Sequence, residues 1–503
     1  YLDLSGADLS KATDWLQVTF KHPSLLELHL SNCGLEDDPS PININSTKSL
    51  VVLDLSENNF SSVPMSIFGL HDLVSIDLSG NSLKGPIPDY FTNISLLEVL
   101  DLSGNSLNSS TPTSLFSLYH LQFLNLSSNE IDQDISQILL KNQLNGTFPL
   151  CFGQLKSLET LDLGCNQLEG VVSETHFSNL TRLTTLAASQ NRLRFEPNSS
   201  WIPPFQCRII RLGQWHLGPK FPRWLKFQKN LSVLDISDAG ISDILPTWLL
   251  NLSTQYEYVN LSCNQLTGEI SYLNVREIVD LSSNRFTGQL PRGPMRILAI
   301  ETNLLSGEIP DCWDHWRGLG YLNLENNNLT GKIPPSLGHL NLLVLNLRSN
   351  GMSGGLPSTL QHSTRLIMLD LSDNHFSGSV PTWIGDKLSK LEILSLRSNN
   401  FDGHLPQKIC QLQSLRILDL GHNNISGAIP KCFSNFSAMA NKSNQHCYMF
   451  QWSSISTNFL FLSALLVLKG REDEYATVIK SIRESPNRKY TGRNWQHAVG
   501  GIS

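Results

Sequence analysis

Acidic residues recur along this chain as the middle letter of a Leu/Ile-Asp-Leu phrase, at Asp54, Asp77, Asp101, Asp370 and Asp419. Two carboxylates converging on one site could run general acid–base chemistry. Regular recurrence points elsewhere, to one solvated side chain per structural repeat. The 14 histidines are scattered, and His404 and His422 read as solvated repeat positions rather than ligands. No His-Arg-Asp loop, Asp-Phe-Gly or glycine-rich phosphate loop occurs, and neither does a Gly-x-Ser-x-Gly elbow or a His-Glu-x-x-His helix. Gly318-Leu-Gly320 opens a repeat strand and is not a phosphate cradle. The expectation is a non-enzymatic protein with no cofactor and no metal.

Binding chemistry is better represented. Interface energy concentrates in aromatic and arginine anchors. Arg211, Gln214, Trp215 and His216 interrupt the repeat consensus together, with Trp201 and Trp224 nearby. Two readings stand: a ligand hot spot, or a degenerate repeat whose tryptophan simply packs. Further along, Glu301, Glu325, Arg348 and Arg397 project from successive or near-successive strands. They read either as a charged ligand stripe or as ordinary solvated charge.

Sequons of the form Asn-x-Ser/Thr occur at Asn45, Asn59, Asn93, Asn108, Asn145, Asn179, Asn198, Asn230, Asn251, Asn328, Asn424, Asn435 and Asn441. Their density favours a glycosylated, extracellular chain. Asn125 and Asn260 are sequons on outward strand positions, where a glycan would block part of the surface. Nine cysteines fit that compartment. Cys410 and Cys432 share a phase in adjacent repeats, so they are either a disulfide or two buried thiols. The odd count leaves at least one cysteine free or paired outside the chain.

The elements that position these residues follow from one phrase, Leu-x-Leu-x-x-Asn-x-Leu, recurring from Asn58 through Asn81 and Asn105 to Asn399 and Asn423. The usual step of about 24 residues lies in the leucine-rich-repeat range. Each Leu-x-Leu is a short strand, its leucines turned inward and its x residues outward. The Asn turns inward and bonds backbone groups of adjacent coils. A Leu/Phe-x-Gly-x-Ile/Leu-Pro element follows, with Gly permitting a bend and Pro ending the extended piece. The predicted fold is an α/β repeat, a leucine-rich-repeat solenoid; its Gly-x-Ile/Leu-Pro element resembles the plant-type repeat, a resemblance that implies a right-handed superhelix. Its parallel β-sheet lines the concave face, and its convex segments are short 3-10, helical or extended. Such solenoids bind along the concave face.

Several coils depart from the rule. Asn129 to Asn142 is about half the period, as if a stretch of coil had been lost around Ile131–Lys141. The steps Asn264–Asn284–Asn303 are short. The inward asparagine is replaced at Ala7, Cys33, Trp215 and Ala239. Residues 1–430 are read as about nineteen repeats at that period, lacking the N-terminal cap. Residues 431–478 are an island insertion, and 479–503 a non-repeat tail.

Net charge is −7 and pI about 6.1, which disfavours a nucleic-acid partner. The longest apolar run, Phe459–Leu468, is about half the ~20 residues of a membrane span.

The form Leu-x-x-Leu-x-x-Leu-x-Leu-Ser-x-Asn-x-Leu-Ser-Gly-x-Ile-Pro resembles the plant-specific repeat of receptor kinases, receptor-like proteins and polygalacturonase inhibitors. The stretch Pro430-Lys-Cys-Phe-Ser-Asn-Phe-Ser-Ala-Met, followed by Ala464-Leu-Leu-Val-Leu-Lys-Gly-Arg-Glu-Asp-Glu-Tyr475, narrows the match. It looks like the island of kinase-less receptor-like proteins of the ethylene-inducing-xylanase receptor type. That resemblance implies co-receptor binding through Lys469 and Tyr475. It also implies a peptide or protein ligand, an adaptor receptor kinase, a co-receptor kinase, and a place on the extracellular face of the plasma membrane. The family continues with further repeats and one membrane-spanning helix; this chain departs from it near Arg483. The expected function is recognition of a microbial or endogenous peptide or protein in plant defence. The alternatives are a secreted inhibitor of a cell-wall-degrading enzyme and a developmental peptide receptor.

Overall fold

The structure is a computed structural model. It describes residues 1–12, 14–16, 24–37, 49–108, 115–129, 154–250, 256–313, 316 and 318–433, and the backbone of 113–114, 434–435, 461–468 and 471–478. Among the described residues, 18 short strands stack in parallel into one sheet, from Leu2–Asp3 to Ile417–Asp419. The register is uniform: Leu53 faces Ile76, Ile76 faces Leu100, and Leu322 faces Leu345. Uniform register follows from period-2 alternation, since a one-residue slip would turn every core leucine to solvent. The inward leucines are accordingly buried, Leu53, Leu100, Leu322 and Leu369 at 0–1% exposure.

After each strand the chain turns through one residue of positive φ, usually not glycine: Glu57 at 55°, Asn326 at 52°, Asp373 at 53°. A left-handed residue costs about 1–2 kcal/mol. The asparagine that follows offsets this. Asn374 donates to the carbonyls of Leu347, Leu371 and Ser372 at 2.8, 3.2 and 3.0 Å, and its Oδ1 accepts the Met352 N–H at 3.0 Å. The same four bonds recur at Asn105. The Gly-x-Ile-Pro elements form a second parallel sheet along one flank, six strands from Ser306–Glu308 to Asn424–Ser426. Short 3-10 helices such as Met65–Gly69 and Pro335–His339 close the convex side.

The inter-coil asparagine bonds measure coil size. Ordinary ones span 26–28 positions, as at Asn81 and Asn191. Those of Asn284 and Asn303 span 23 and 22. The chain from Tyr256 to Cys312 contains strands and turns but no helical turn, so these coils are shortened on the convex side.

The half-coil before Asn142 needs correction. Asn166 bonds the Leu126 carbonyl across 40 positions, and strand Phe123–Asn125 pairs directly with Thr160–Asp162. Asn166 is therefore the rung after Asn129; Asn142 lies outside the described residues. The final coil also runs past residue 430, because Lys431–Asn435 is a 3-10 helix joined to the preceding coil by a Cys410–Cys432 disulfide with a Cα–Cα distance of 5.7 Å. Phe461–Leu468 and Arg471–Val478 pair as an antiparallel hairpin. Among the described residues no helix is long and apolar enough to cross a membrane.

Candidate ligand-recognition surface

The outward residues of the large sheet fall into three columns, each formed by in-register neighbours about 4.8 Å apart. The second column carries the Leu/Ile-Asp-Leu acids. Asp419 accepts from the Gly421 N–H at 3.0 Å, and Asp54, Asp77, Asp101 and Asp370 accept from the serine two residues on: Ser56 N–H and Oγ–H reach Asp54 Oδ1 at 3.0 and 2.7 Å. Ser103 binds Asp101 in the same way at 2.9 and 2.6 Å. Burial pushes the Asp77 carboxyl up, its serine bonds pull it down, and the neighbouring Asp101 and Asp54 carboxylates push it up again. These aspartates brace their own turns.

Arg211 to His216 do not form one patch. Arg211 is half-buried in the second column beside Asp235, whose carboxyl its charge favours in ionised form against burial. Gln214 is exposed in the turn at φ 68°. His216 is exposed on the flank, where its backbone bridges Arg194.

Trp215 is 1% exposed, which corrects its reading as a surface anchor. Its indole N–H donates to the Ala188 carbonyl at 2.7 Å across 27 positions, the slot an asparagine fills elsewhere. Its ring packs near Phe195 in a cluster with Phe177, Trp201, Phe205 and Trp224. Cys33 fills the same slot with its thiol, Sγ lying 3.1 Å from the Leu4 carbonyl. At Ala239 the following Asn264 Oδ1 accepts the N–H groups of both Ala239 and Ile241, at 3.1 and 3.0 Å.

Glu301, Glu325, Arg348 and Arg397 do share one column, the third. Three of them are held by neighbours. Arg348 Nε lies 3.8 Å from Glu325 and 3.2 Å from Asp373. Asn346 donates to Glu325 at 2.8 Å. Arg397 reaches Asp419 at 3.5 Å, and Gly421 leaves room for it, since an added Cβ would sit 2.9 Å from the Arg397 guanidinium. Glu301 differs. Its Oε2 is buried with no hydrogen-bond partner, and burial, then the Asp280 carboxylate, push its carboxyl up to about 8. Burial likewise lifts Asp370 to about 6.

A feature the sequence reading missed lies in the first column. Ile297, Tyr321, Val344, Met368, Ile393 and Ile417 are in-register neighbours and pack, with Ala299, into an apolar cluster of their own at 1–8% exposure. The signal was present: an apolar residue precedes each strand leucine, as in Val344-Leu and Met368-Leu.

Of the other expected positions, Asn59, Asn93, Asn108, Asn179, Asn198, Asn230, Asn328 and Asn424 are exposed. Asn45, Asn145, Asn251, Asn441 and Lys469 lie outside the described residues, as do the side chains of Asn435 and Tyr475; the Tyr475 backbone pairs with Ala464 in the hairpin.

Leucine-rich-repeat family models match residues 87–131, 138–193 and 364–425, and, in a second form, 49–70, 72–94 and 318–340. The chain is 37% identical to the receptor-like protein EIX2 of Solanum lycopersicum over 346 residues, 62% of this chain and 34% of that protein. It is 38% identical to receptor-like protein EIX1 of the same plant over 364 residues, 65% of this chain and 35% of that one. Among solved structures it superposes on the leucine-rich-repeat ectodomain of the Arabidopsis receptor kinase HAESA with an IDA peptide hormone (TM-score 0.66, 28% identity, 84% of this chain and 70% of that one). HAESA with IDA and the co-receptor SERK1 gives a TM-score of 0.64 at 25% identity, over 86% and 80% of the two chains.

Fold and repeat pattern thus define a leucine-rich-repeat solenoid of the kind found in plant receptor ectodomains. Within that class the chain is similar to the receptor-like proteins EIX1 and EIX2. It spans about a third of the length of the curated relatives it matches, 34% and 35% of them.

Proposed function

We propose that this chain is the extracellular recognition part of a plant cell-surface receptor-like protein. It takes a peptide or protein ligand on its concave face and signals in defence through partner receptor kinases. The observation that carries this reading is the third-column charge row from Glu301 to Arg397, set in an ordered array on the open side of the sheet. Supporting it, HAESA, which shares the fold, binds a peptide hormone and a co-receptor. Lys469 and Tyr475 are the proposed co-receptor contacts, because their spacing matches the island of the resembling family. Among the described residues no group of three or more His, Cys, Asp or Glu side chains could hold a metal.

The test uses the secreted chain, a co-receptor kinase ectodomain and fungal culture filtrate as the ligand source. Filtrate-dependent capture of the co-receptor is expected with the native chain and lost with Lys469→Ala plus Tyr475→Ala. Unchanged capture by the double variant would remove the island from the reading. Inhibition of a polygalacturonase by the purified chain, without co-receptor capture, would favour the inhibitor alternative.

A further inference from the structure

Two sequons lie on the concave sheet itself. Asn125 closes strand Phe123–Asn125, and Asn260 closes strand Tyr256–Asn260. Both stand in the second outward column. Asn125 sits between Asp101 and Asp162, and Asn260 between Asp235 and Asp280. Both are half-exposed. The other described sequon asparagines are placed differently. Asn59, Asn328 and Asn424 follow an inward asparagine, toward the flank. Asn93, Asn179 and Asn230 lie where a convex segment returns toward the sheet.

We propose that Asn125 and Asn260 carry N-linked glycans, and that these screen the middle of the concave face from a protein ligand. The chemistry fits the geometry. In N-glycosylation the Asn Nδ2 attacks the anomeric carbon of a polyprenyl-diphosphate oligosaccharide. A C–N bond forms, the C–O bond to the diphosphate breaks, and one Nδ2 proton is released to base. The product amide keeps one N–H and its carbonyl oxygen. Asn125 uses one N–H, toward Asp101 Oδ2 at 3.0 Å, while its Oδ1 accepts from Ser127 N–H and Oγ–H at 3.1 and 2.7 Å. Asn260 Oδ1 accepts from Ser262 in the same way, at 3.0 and 2.7 Å. A glycan therefore replaces a hydrogen that these bonds do not require. The folded sheet tolerates the modification and displays it on the concave side.

The consequence deepens the proposed function and rests on its extracellular assignment. No outward position of the large sheet between Asn260 and Asp419 carries a sequon. The charge row of Glu301, Glu325, Arg348 and Arg397 falls within that sequon-free stretch. The charge row is thereby left unscreened and open to a protein ligand.

Glycopeptide mapping of the chain secreted from plant cells tests the assignment, with Asn93 and Asn179 as internal references. Sugar on Asn125 and Asn260 as well as on the references is the expected result. Bare Asn125 and Asn260 beside glycosylated references would overturn the inference and leave the proposed function standing. No sugar at any sequon would instead remove the extracellular reading itself. Screening is read by hydroxyl-radical labelling of Phe123, which is half-exposed on the same face. Labelling should rise at least twofold in Asn125→Gln, and equal labelling in the two proteins would sink the screening claim. Ser127→Ala, which removes the sequon while keeping the asparagine, should reproduce the rise.

Discussion

The concave face from Val52–Asp54 to Phe123–Asn125 and that from Ile297–Ala299 to Ile417–Asp419 share one frame and differ in what they display. In both, adjacent strands pair in the same register and an inward asparagine bonds three carbonyls. The N-terminal part shows half-exposed first-column residues such as Val52 and Val99, and Asp–Ser pairs that brace their own turns. The C-terminal part shows a buried apolar column beside a row of cross-strand charges. The frame is therefore indifferent to the outward residues. Inward leucine and asparagine carry the stability, and outward positions are free to diverge toward recognition.

Between these parts stands Trp215, where the frame itself is altered. Replacing it with Ala should have the largest effect, about 3–5 kcal/mol for a buried aromatic. Urea unfolding followed by tryptophan fluorescence and circular dichroism measures it. A loss below about 1 kcal/mol, the scale of a surface change, would contradict its place inside the coil.

The shared frame is tested next by Asn105→Ala and Asn374→Ala, one in each part. Both remove the same four bonds, and each buried carbonyl left unpaired costs about 1–3 kcal/mol. Similar drops in local stability are expected, read as faster amide exchange in the flanking strands. A large difference between the two would show that the outward residues do support the frame.

The smallest effect concerns the display. Glu301 holds its proton more tightly in the folded chain, at about 8, than at its ordinary value of 4.5. Folding is thus favoured at low pH and loses that contribution as pH rises from about 4.5 through about 8. Asp370, lifted to about 6, acts in the same direction over a narrower range. The urea midpoint should fall between pH 5 and pH 8, and less so in Glu301→Gln. An identical pH dependence in the variant would remove Glu301 as the source. The N-terminal carboxylates, each bonded by its own serine, offer no comparable buried and partnerless oxygen.

Much of this was legible in the residues. Alternating leucines set inward and outward faces, because successive side chains of a strand point to opposite sides. The recurring asparagine set the rungs, the Gly-x-Ile-Pro element the flanking sheet, and the third-column charges their common row. Other features needed the stacked coils. Arg211, Gln214, Trp215 and His216 are neighbours in sequence, yet a tight turn aims them at the concave face, the turn, the core and the flank. Spacing alone places a rung at Asn142, whereas the rung after Asn129 is Asn166, which bonds Leu126 across 40 positions. Local pattern determines which way a residue points within its own coil. Which residue fills a slot in the next coil depends on contacts between positions more than twenty apart, and only packing decides those.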